Sequence, residues 1–270
     1  MRRFTPAEVQ SVDFPVQFSD AITRIGGDLV DTGKLSVVRP DTKKCIAVVS
    51  KDYSLIPHQR VVTCAEQVFG DLGLNVQKKL FLTHDGARMF AEFGVSGKEI
   101  DVDADDRIGM RFLFSNSYDG SSSFRMGIEG LRLICLNGLM GLRELFSFHK
   151  KHVGEKFDDM KIVKEATEKG IEIYQNSMIP FWRKMVSVPI SVDDSKLIMG
   201  NIVETNTLPG RYQADIQKQW EVVAEAKRNA WIFYNCYTHV LTHVIKQVSY
   251  ANYLNHSRKV SRYFHDRFIN

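Results

Sequence analysis

Two runs of alternating residues, Arg107–Phe114 (RIGMRFLF) and Ser121–Glu129 (SSSFRMGIE), decide the fold of this chain. Apolar side chains occupy every second position in each run, which is the period of a β-strand with one buried face. The segment between them, Ser115–Gly120 (SNSYDG), is rich in turn-forming residues. The sequence therefore predicts two antiparallel strands joined by a turn, with a buried face made of Ile108, Met110, Phe112, Phe114, Phe124, Met126 and Ile128.

The residues before these strands predict further β-structure and one helix. Lys44–Ser50 (KCIAVVS) is a short β-branched run typical of a strand, whereas Gln59–Leu72 has apolar residues at helical spacing. His84–Gly86 (HDG) separates two apolar runs and indicates a hairpin, and the acidic stretch Asp101–Asp106 is expected to be a loop. We therefore expect an antiparallel β-meander packed by an amphipathic helix.

The second half of the chain has helical patterns. Helices are expected over Lys156–Ile179 and Asp193–Glu204, and an unbroken one over Ala214–Val248, a length typical of a bundle or an oligomer interface. The composition changes near Gly154. The sequence predicts an α+β fold in which residues 1–153 form the body with the β-meander and residues 154–270 form a helical region with a basic C-terminal tail.

Composition restricts the class of protein. Of the 270 residues, 44% are hydrophobic and 25% charged, which is ordinary for a globular chain and unlike a disordered or collagen-like one. No apolar run reaches the roughly 18 residues of a membrane span, so we expect a cytoplasmic protein that does not contact membranes. The four cysteines have no metal-ligand spacing and are expected to be reduced thiols in the core.

The charge is concentrated in one region. The chain has a formal net charge of +4, but Thr205–Asn270 alone contains nine Lys or Arg residues and four acidic residues. A basic segment on a nearly neutral body favours a surface that faces a polyanion. The alternative is an ordinary solvated helix face.

Catalytic chemistry is not indicated. The sequence contains no nucleophile elbow and no Cys–His signature, so we expect no enzyme activity, no cofactor and no metal site. His239 and His243 have the i, i+4 spacing of zinc ligands but no glutamate between them to activate water. Two histidines packed in a bundle are the favoured interpretation, and a zinc enzyme remains a third hypothesis.

The predicted sheet suggests a nucleic-acid-binding surface. On the face opposite the apolar residues, Arg111, Arg125 and Arg132 would project into solvent and contact phosphates. Asn116 and Tyr118 would lie in the connecting turn, where Tyr118 stacks on an unpaired base and Asn116 contacts sugar or base. The alternative is that the arginines form ion pairs with Glu92, Glu129 and Asp119 on neighbouring strands.

The C-terminal segment extends this hypothesis. It interleaves aromatic and basic residues, and Lys259 and Arg262 would lengthen the groove for a single strand. The alternative is a helix packed through its Tyr and Phe side chains. The complete run consists of Tyr250, Tyr253, Arg258, Lys259, Arg262, Tyr263 and Arg267.

Several segments resemble a known family. Ser115–Met126 (SNSYDGSSSFRM) and Leu131–Leu139 (LRLICLNGL) look like the core of a phage/plasmid-like protein family of unknown function. Asn229–Asn235 (NAWIFYN) is similar to a later helical motif of that family, and Tyr53–Pro57 (YSLIP) to its entry strand. The resemblance implies a phage, prophage or plasmid origin, and it implies no activity.

The order of elements also resembles that of the single-strand annealing superfamily of recombination mediators. That likeness implies a homo-oligomer that binds, and anneals, single-stranded DNA during phage or plasmid replication or recombination. The expected long helix after the meander is opened here by Gly138 and Gly141, which disfavour helix. The alternative function is a phage-encoded protein-interaction module that acts on a host factor through exposed Tyr and Trp residues.

Overall fold

The computed structural model describes residues 7–104, 106–133, 137–140, 147–150, 159–223 and 225–268. The described chain is an α+β fold with two antiparallel sheets and a C-terminal helical region, which confirms the predicted fold class. The predicted seam near Gly154 lies outside the described residues.

The larger of the two sheets has seven strands in the described residues. They are β1 (Ala7–Val9), β5 (Val76–Thr83), β6 (Arg88–Asp103), β7 (Asp106–Ser117), β8 (Phe124–Arg132), β9 (Asn137–Met140) and β10 (Ser147–Lys150). Their order is β1-β5-β6-β7-β8-β10, β9 also pairs with β8, and all pairings are antiparallel. β7 and β8 are the two strands that the alternating runs predict.

A smaller sheet of three strands lies before the first helix, His58–Asp71, in the chain. It contains β2 (Gln17–Ile25), β3 (Asp28–Arg39) and β4 (Lys44–Val49), in that order. The predicted strand at Lys44–Ser50 is confirmed as β4, whereas the β2–β3 hairpin was not predicted. Its turn is Gly26–Gly27, two residues with positive φ of 59° and 102°, as a tight hairpin turn requires.

The core lies between the larger sheet and the helices. Helix α1 (His58–Asp71) packs Phe69 against Phe93 and Phe112, with ring centroids 5.2 and 5.1 Å apart. The predicted apolar face of β7 and β8 is buried throughout. Because these side chains alternate along each strand, they all reach one face of the sheet and form one layer with the helix.

The helical region is more segmented than the sequence predicts. The helices after α1 are α2 (Asp159–Ile173), α3 (Ile179–Val186), α4 (Val192–Glu204), α5 (Gln213–Glu221), α6 (Ala230–Val240), α7 (Lys246–Val248) and α8 (Tyr250–Phe268). The prediction of one unbroken helix over Ala214–Val248 is wrong, because α5 ends at Glu221 and α6 begins at Ala230. Short π-helical segments, Tyr174–Met178 and Leu241–Ile245, follow α2 and α6.

Two smaller expectations also need correction. The acidic stretch Asp101–Asp106 is mostly strand, because β6 continues to Asp103 and β7 begins at Asp106. Cys45 is exposed at the start of β4 rather than buried, while Cys64 and Cys236 are buried as expected. Cys135 lies outside the described residues.

Candidate functional site

Arg111 lies in the interior and not on a solvent face. Its guanidinium donates to Glu92 Oε2 at 2.8 Å and to Glu129 Oε2 at 2.5 Å, and its side chain is only 9% exposed. Both carboxylates are buried as well. The predicted exposure of Arg111 is therefore wrong, and the alternative, pairing with Glu92 and Glu129, is confirmed.

Side chains from the helical region complete this buried network. Lys246 Nζ donates to Glu92 Oε1 at 2.5 Å, and the Tyr253 hydroxyl donates to Glu129. Burial, and then the charge of Glu129, raises the pKa of Tyr253. Two cations therefore balance two carboxylates beneath α7 and α8. The helical layer covers the face that strand alternation alone predicts to be exposed.

Arg132 lies on the other face of the sheet. In the β7–β8 register it is opposite Ile108, which belongs to the apolar face, whereas Arg111 is opposite Glu129. Its Nε donates to Asp106 at 2.7 Å, and Trp231 Nε1 donates to the same carboxylate at 2.8 Å. The expectation that Arg111, Arg125 and Arg132 share one exposed surface is therefore wrong.

Tyr118 and Asn116 are buried and do not form an exposed turn. Asn116 is within β7, and its Nδ2 donates to the carbonyl of Ile56 at 2.8 Å. The ring of Tyr118 stacks on His58 with centroids 3.8 Å apart, and its hydroxyl accepts the His58 backbone N–H at 2.6 Å. The expected accessibility of both side chains is wrong, because they hold the first turn of α1 against the sheet.

His58 has a defined role that the sequence did not reveal. Its Nε2 is 3.0 Å from the carbonyl oxygen of Gly86, and its Nδ1 is 2.9 Å from Asn116 Nδ2. A carbonyl only accepts, so Nε2 carries the proton and Nδ1 accepts from the amide. The imidazole is therefore bonded at both nitrogens in its neutral form. A histidine immediately after Pro57 is the only sequence signal, and it is weak.

Arg125 remains exposed and lies beside two arginines of α8. Burial, followed by the charges of Arg125 and Arg262, lowers the pKa of Arg258. Arg258 and Arg262 are one helical turn apart on α8, and Arg125, on β8, lies close enough to Arg258 for its charge to act on it. Among the residues that the structure describes, neither Arg125 nor Arg258 forms an ion pair. The structure thus brings Arg125 and Arg262 together as predicted, but with Arg258 instead of Arg111 and Arg132.

A second group of basic residues lies further around α8. Lys259 is exposed, and its Nζ donates to the carbonyl of Asn206 at 3.1 Å. Burial lowers the pKa of His256, the hydrogen bond that Nδ1 donates to the carbonyl of Thr207 raises it, and the charges of Lys259 and Arg211 lower it again. Lys259 and Arg211 therefore extend the positive charge from the arginine cluster toward the segment between α4 and α5. No pattern in the sequence predicts that Arg211 belongs to this group.

The zinc hypothesis rests on His239 and His243. The rings of His239 and His243 are 4.6 Å apart, and burial and then the charge of His243 lower the pKa of His239. Within the described ranges, no group of three or more His, Cys, Asp or Glu side chains could hold a metal ion. Among the helices that the structure describes, none combines the length and apolar character needed to cross a bilayer.

The tryptophans expected as anchors for a host factor are not at the surface. Trp182, Trp220 and Trp231 are all within the core, at 0%, 2% and 0% exposure. Trp220 packs on Phe233 at 4.7 Å between ring centroids. The expectation of exposed tryptophans is wrong, since the segmented helices enclose them.

Comparison with known proteins identifies a family. A family model described as a domain of unknown function (DUF932) matches residues 45–265. No curated protein and no solved structure matches the chain.

Proposed function

The chain belongs to the DUF932 family, a domain of unknown function, and we propose that it binds nucleic acid through a basic surface formed by β8, α8 and the segment between α4 and α5. The basic surface consists of Arg125, Arg258, Lys259, Arg262 and Arg211. The observation that carries the proposal is the convergence of Arg125, Arg258 and Arg262. The family itself supplies no activity.

Physical chemistry favours a polyanion as the ligand of the basic surface. Arginine stays charged at any physiological pH, so three neighbouring guanidinium groups repel one another. Phosphate oxygens relieve that repulsion and accept paired N–H donors from a guanidinium. A chain of phosphates satisfies several cations at once, which a single small anion does not.

The surface binds through phosphates and not through base stacking. Tyr118, the side chain expected to stack on a base, is enclosed by His58 and Phe14. Arg125 and Arg262 are exposed and contact phosphates directly, with Lys259 adding charge at the side. Phosphate contacts carry no sequence information, so the proposed binding is independent of sequence.

The finer parts of the proposal come from the resemblances of the sequence. We propose single-stranded DNA as the substrate, annealing as the activity, and phage or plasmid replication or recombination as the context. In this proposal the protein acts in the cytoplasm of the host cell as a homo-oligomer and needs no cofactor. The basic surface supports the binding step, and annealing rests on the topological likeness.

Fluorescence anisotropy with a labelled single-stranded oligonucleotide tests the binding step. On single strands the log of the affinity falls with log salt by about 0.7 per phosphate neutralised. The Arg125→Ala/Arg262→Ala variant should therefore bind more weakly and lose about 1.4 from that slope. A length-matched duplex, measured in parallel, reports the preference for single strands.

A matched control removes charge elsewhere. Arg107 is exposed and paired with Asp101 at the far end of β7, so Arg107→Ala/Lys196→Ala removes two charges outside the basic surface. That variant should keep the wild-type slope. If micromolar wild-type protein gives no salt-sensitive change in anisotropy, the proposal is refuted. If both double variants lose affinity equally, the assignment of binding to the basic surface is refuted.

A further inference from the structure

Strand β2 (Gln17–Ile25) is paired on one side only. It is the first strand of the β2-β3-β4 sheet, and across the described residues no strand pairs with its outer edge. The β2–β3 hairpin also exposes a group of large apolar side chains, which is uncommon on the surface of a monomeric protein. These are Phe18, Ile22, Ile25, Leu29 and Val30, of which Leu29 is 68% and Ile22 57% exposed. An unpaired edge with such side chains is a template for strand addition.

The backbone of Ile22 points toward that outer edge. The carbonyl of Ala21 accepts the Thr32 hydroxyl and therefore faces β3. Peptide groups alternate sides along a strand, so the N–H and C=O of Ile22 face away from β3. Register with β3 shifts between Asp20 and Ile22, but the extra residues are in β3, so β2 keeps its alternation.

The side chains around Ile22 are complementary to themselves. Asp20, Ile22 and Arg24 lie at every second position and hence on one face of β2. All three are exposed, and within the part of the chain that the structure describes neither Asp20 nor Arg24 has an ion-pair partner. Asp20 and Arg24 are each two residues away from Ile22. If β2 pairs in the antiparallel direction with β2 of a second copy, centred on Ile22, each Asp20 therefore lies opposite an Arg24.

We propose that two copies of this chain associate by antiparallel pairing of their β2 strands, with a two-fold axis at Ile22. This register joins the two three-stranded sheets into one of six strands. It places Asp20 opposite the partner's Arg24 and Arg24 opposite the partner's Asp20, with Ile22 against its own copy. The same patch serves both subunits, as a two-fold interface requires.

A charge swap tests the register by sedimentation analysis of the full chain without nucleic acid. Asp20→Arg places two arginines opposite each other at both ends of the pair, and Arg24→Asp does the same with aspartates. Each single variant should weaken dimerisation about tenfold. The double variant Asp20→Arg/Arg24→Asp restores opposite charges and should recover wild-type association. Asp28→Arg, at the hairpin turn and outside the pairing, should leave it unchanged.

Several results would overturn the proposal. A wild-type chain that sediments as a monomer at 100 micromolar excludes the dimer, as does a double variant no better than the singles. Circular dichroism on each variant shows that the fold persists. Because the assay contains no oligonucleotide, these failures leave the proposed nucleic-acid binding untouched.

Cysteine cross-linking locates the two-fold axis. Residues of a hydrogen-bonded antiparallel pair have Cα atoms about 5.5 Å apart, within disulfide range. In a Cys45→Ser background, Ile22→Cys should therefore form a disulfide-linked dimer on mild oxidation. Leu29→Cys is as exposed but lies on β3, away from the axis, and should not. Equal cross-linking of both variants would mean random collision and refute the register.

Discussion

Among the single side chains, Arg111 shows most clearly how context decides a role. Its guanidinium is bonded to Glu92 and Glu129, and Lys246 and Tyr253 close the network from the helical region. The charges of Arg111, Lys246, Glu92 and Glu129 sum to zero, so each charge is compensated as long as all four side chains are present. Removing one partner leaves a buried charge that nothing solvates, and that is far more costly than losing an exposed ion pair.

We therefore predict that Arg111→Ala destabilises the fold by about 3–5 kcal/mol, because Glu92 and Glu129 lose their cation while staying buried. Urea unfolding measures the change. Arg125→Ala is the matched control, since Arg125 is exposed and its removal should change stability by about 0.5 kcal/mol or less. A loss below about 1 kcal/mol for Arg111→Ala would show that the network is not strongly coupled.

Among the elements, α5 and α6 are separate helices, although the apolar periodicity alone predicts one. Apolar residues repeat at threes and fours from Ala214 to Val248, yet α6 begins as a new helix. Asn229 has extended backbone angles, and its Oδ1 accepts the N–H of Ile232 at 2.8 Å. Ser191 begins α4 in the same way through a reciprocal pair with Asp194. A capping side chain satisfies an N–H that the helix itself cannot.

We predict that Asn229→Ala costs about 1 kcal/mol, the usual loss when an N-cap is removed. Thermal or chemical denaturation measures it. Asn229→Ser retains an oxygen acceptor at the same position and should lose only a small part of that stability. Equal stabilities for the alanine and serine variants would show that the cap bond contributes nothing to the start of α6.

At the scale of the whole molecule, three histidines contribute to the dependence of stability on pH. Burial is the largest cause of a lowered pKa in His84, His239 and His256, and neighbouring basic side chains add to it. These imidazoles bind protons more readily in the unfolded chain, whose histidines titrate near 6.5. Below that pH the unfolded state takes up protons that the native state does not.

We predict that the stability is highest above about pH 6.5 and declines as the pH falls through 6.5 toward 5.5. Denaturant midpoints at a series of pH values measure this decline. Replacing His239 by Gln should flatten it, since one of the three proton sites is removed. A midpoint that is constant between pH 7.5 and 5.5 would contradict the prediction.

The candidate site was predictable only where a side chain stays at the surface. Arg125 and Arg262 are exposed and close together, as the sequence led us to expect. Arg111, Asn116 and Tyr118 were expected beside them, but the interior holds all three. Strand alternation says which residues share a face. It does not say whether a later part of the chain covers that face.

Local patterns in the sequence determined β7, β8, β4, α1 and the hairpin at His84–Gly86, because side-chain period and turn chemistry act over neighbouring residues. Only the tertiary structure determined that Arg111 and Glu129, on the polar face of β7 and β8, are buried. Lys246 and Tyr253 lie more than a hundred residues beyond Glu92 and Glu129 and cover them only after the helical region docks. Burial of a charge depends on what is packed above it, and no pattern within one strand contains that information.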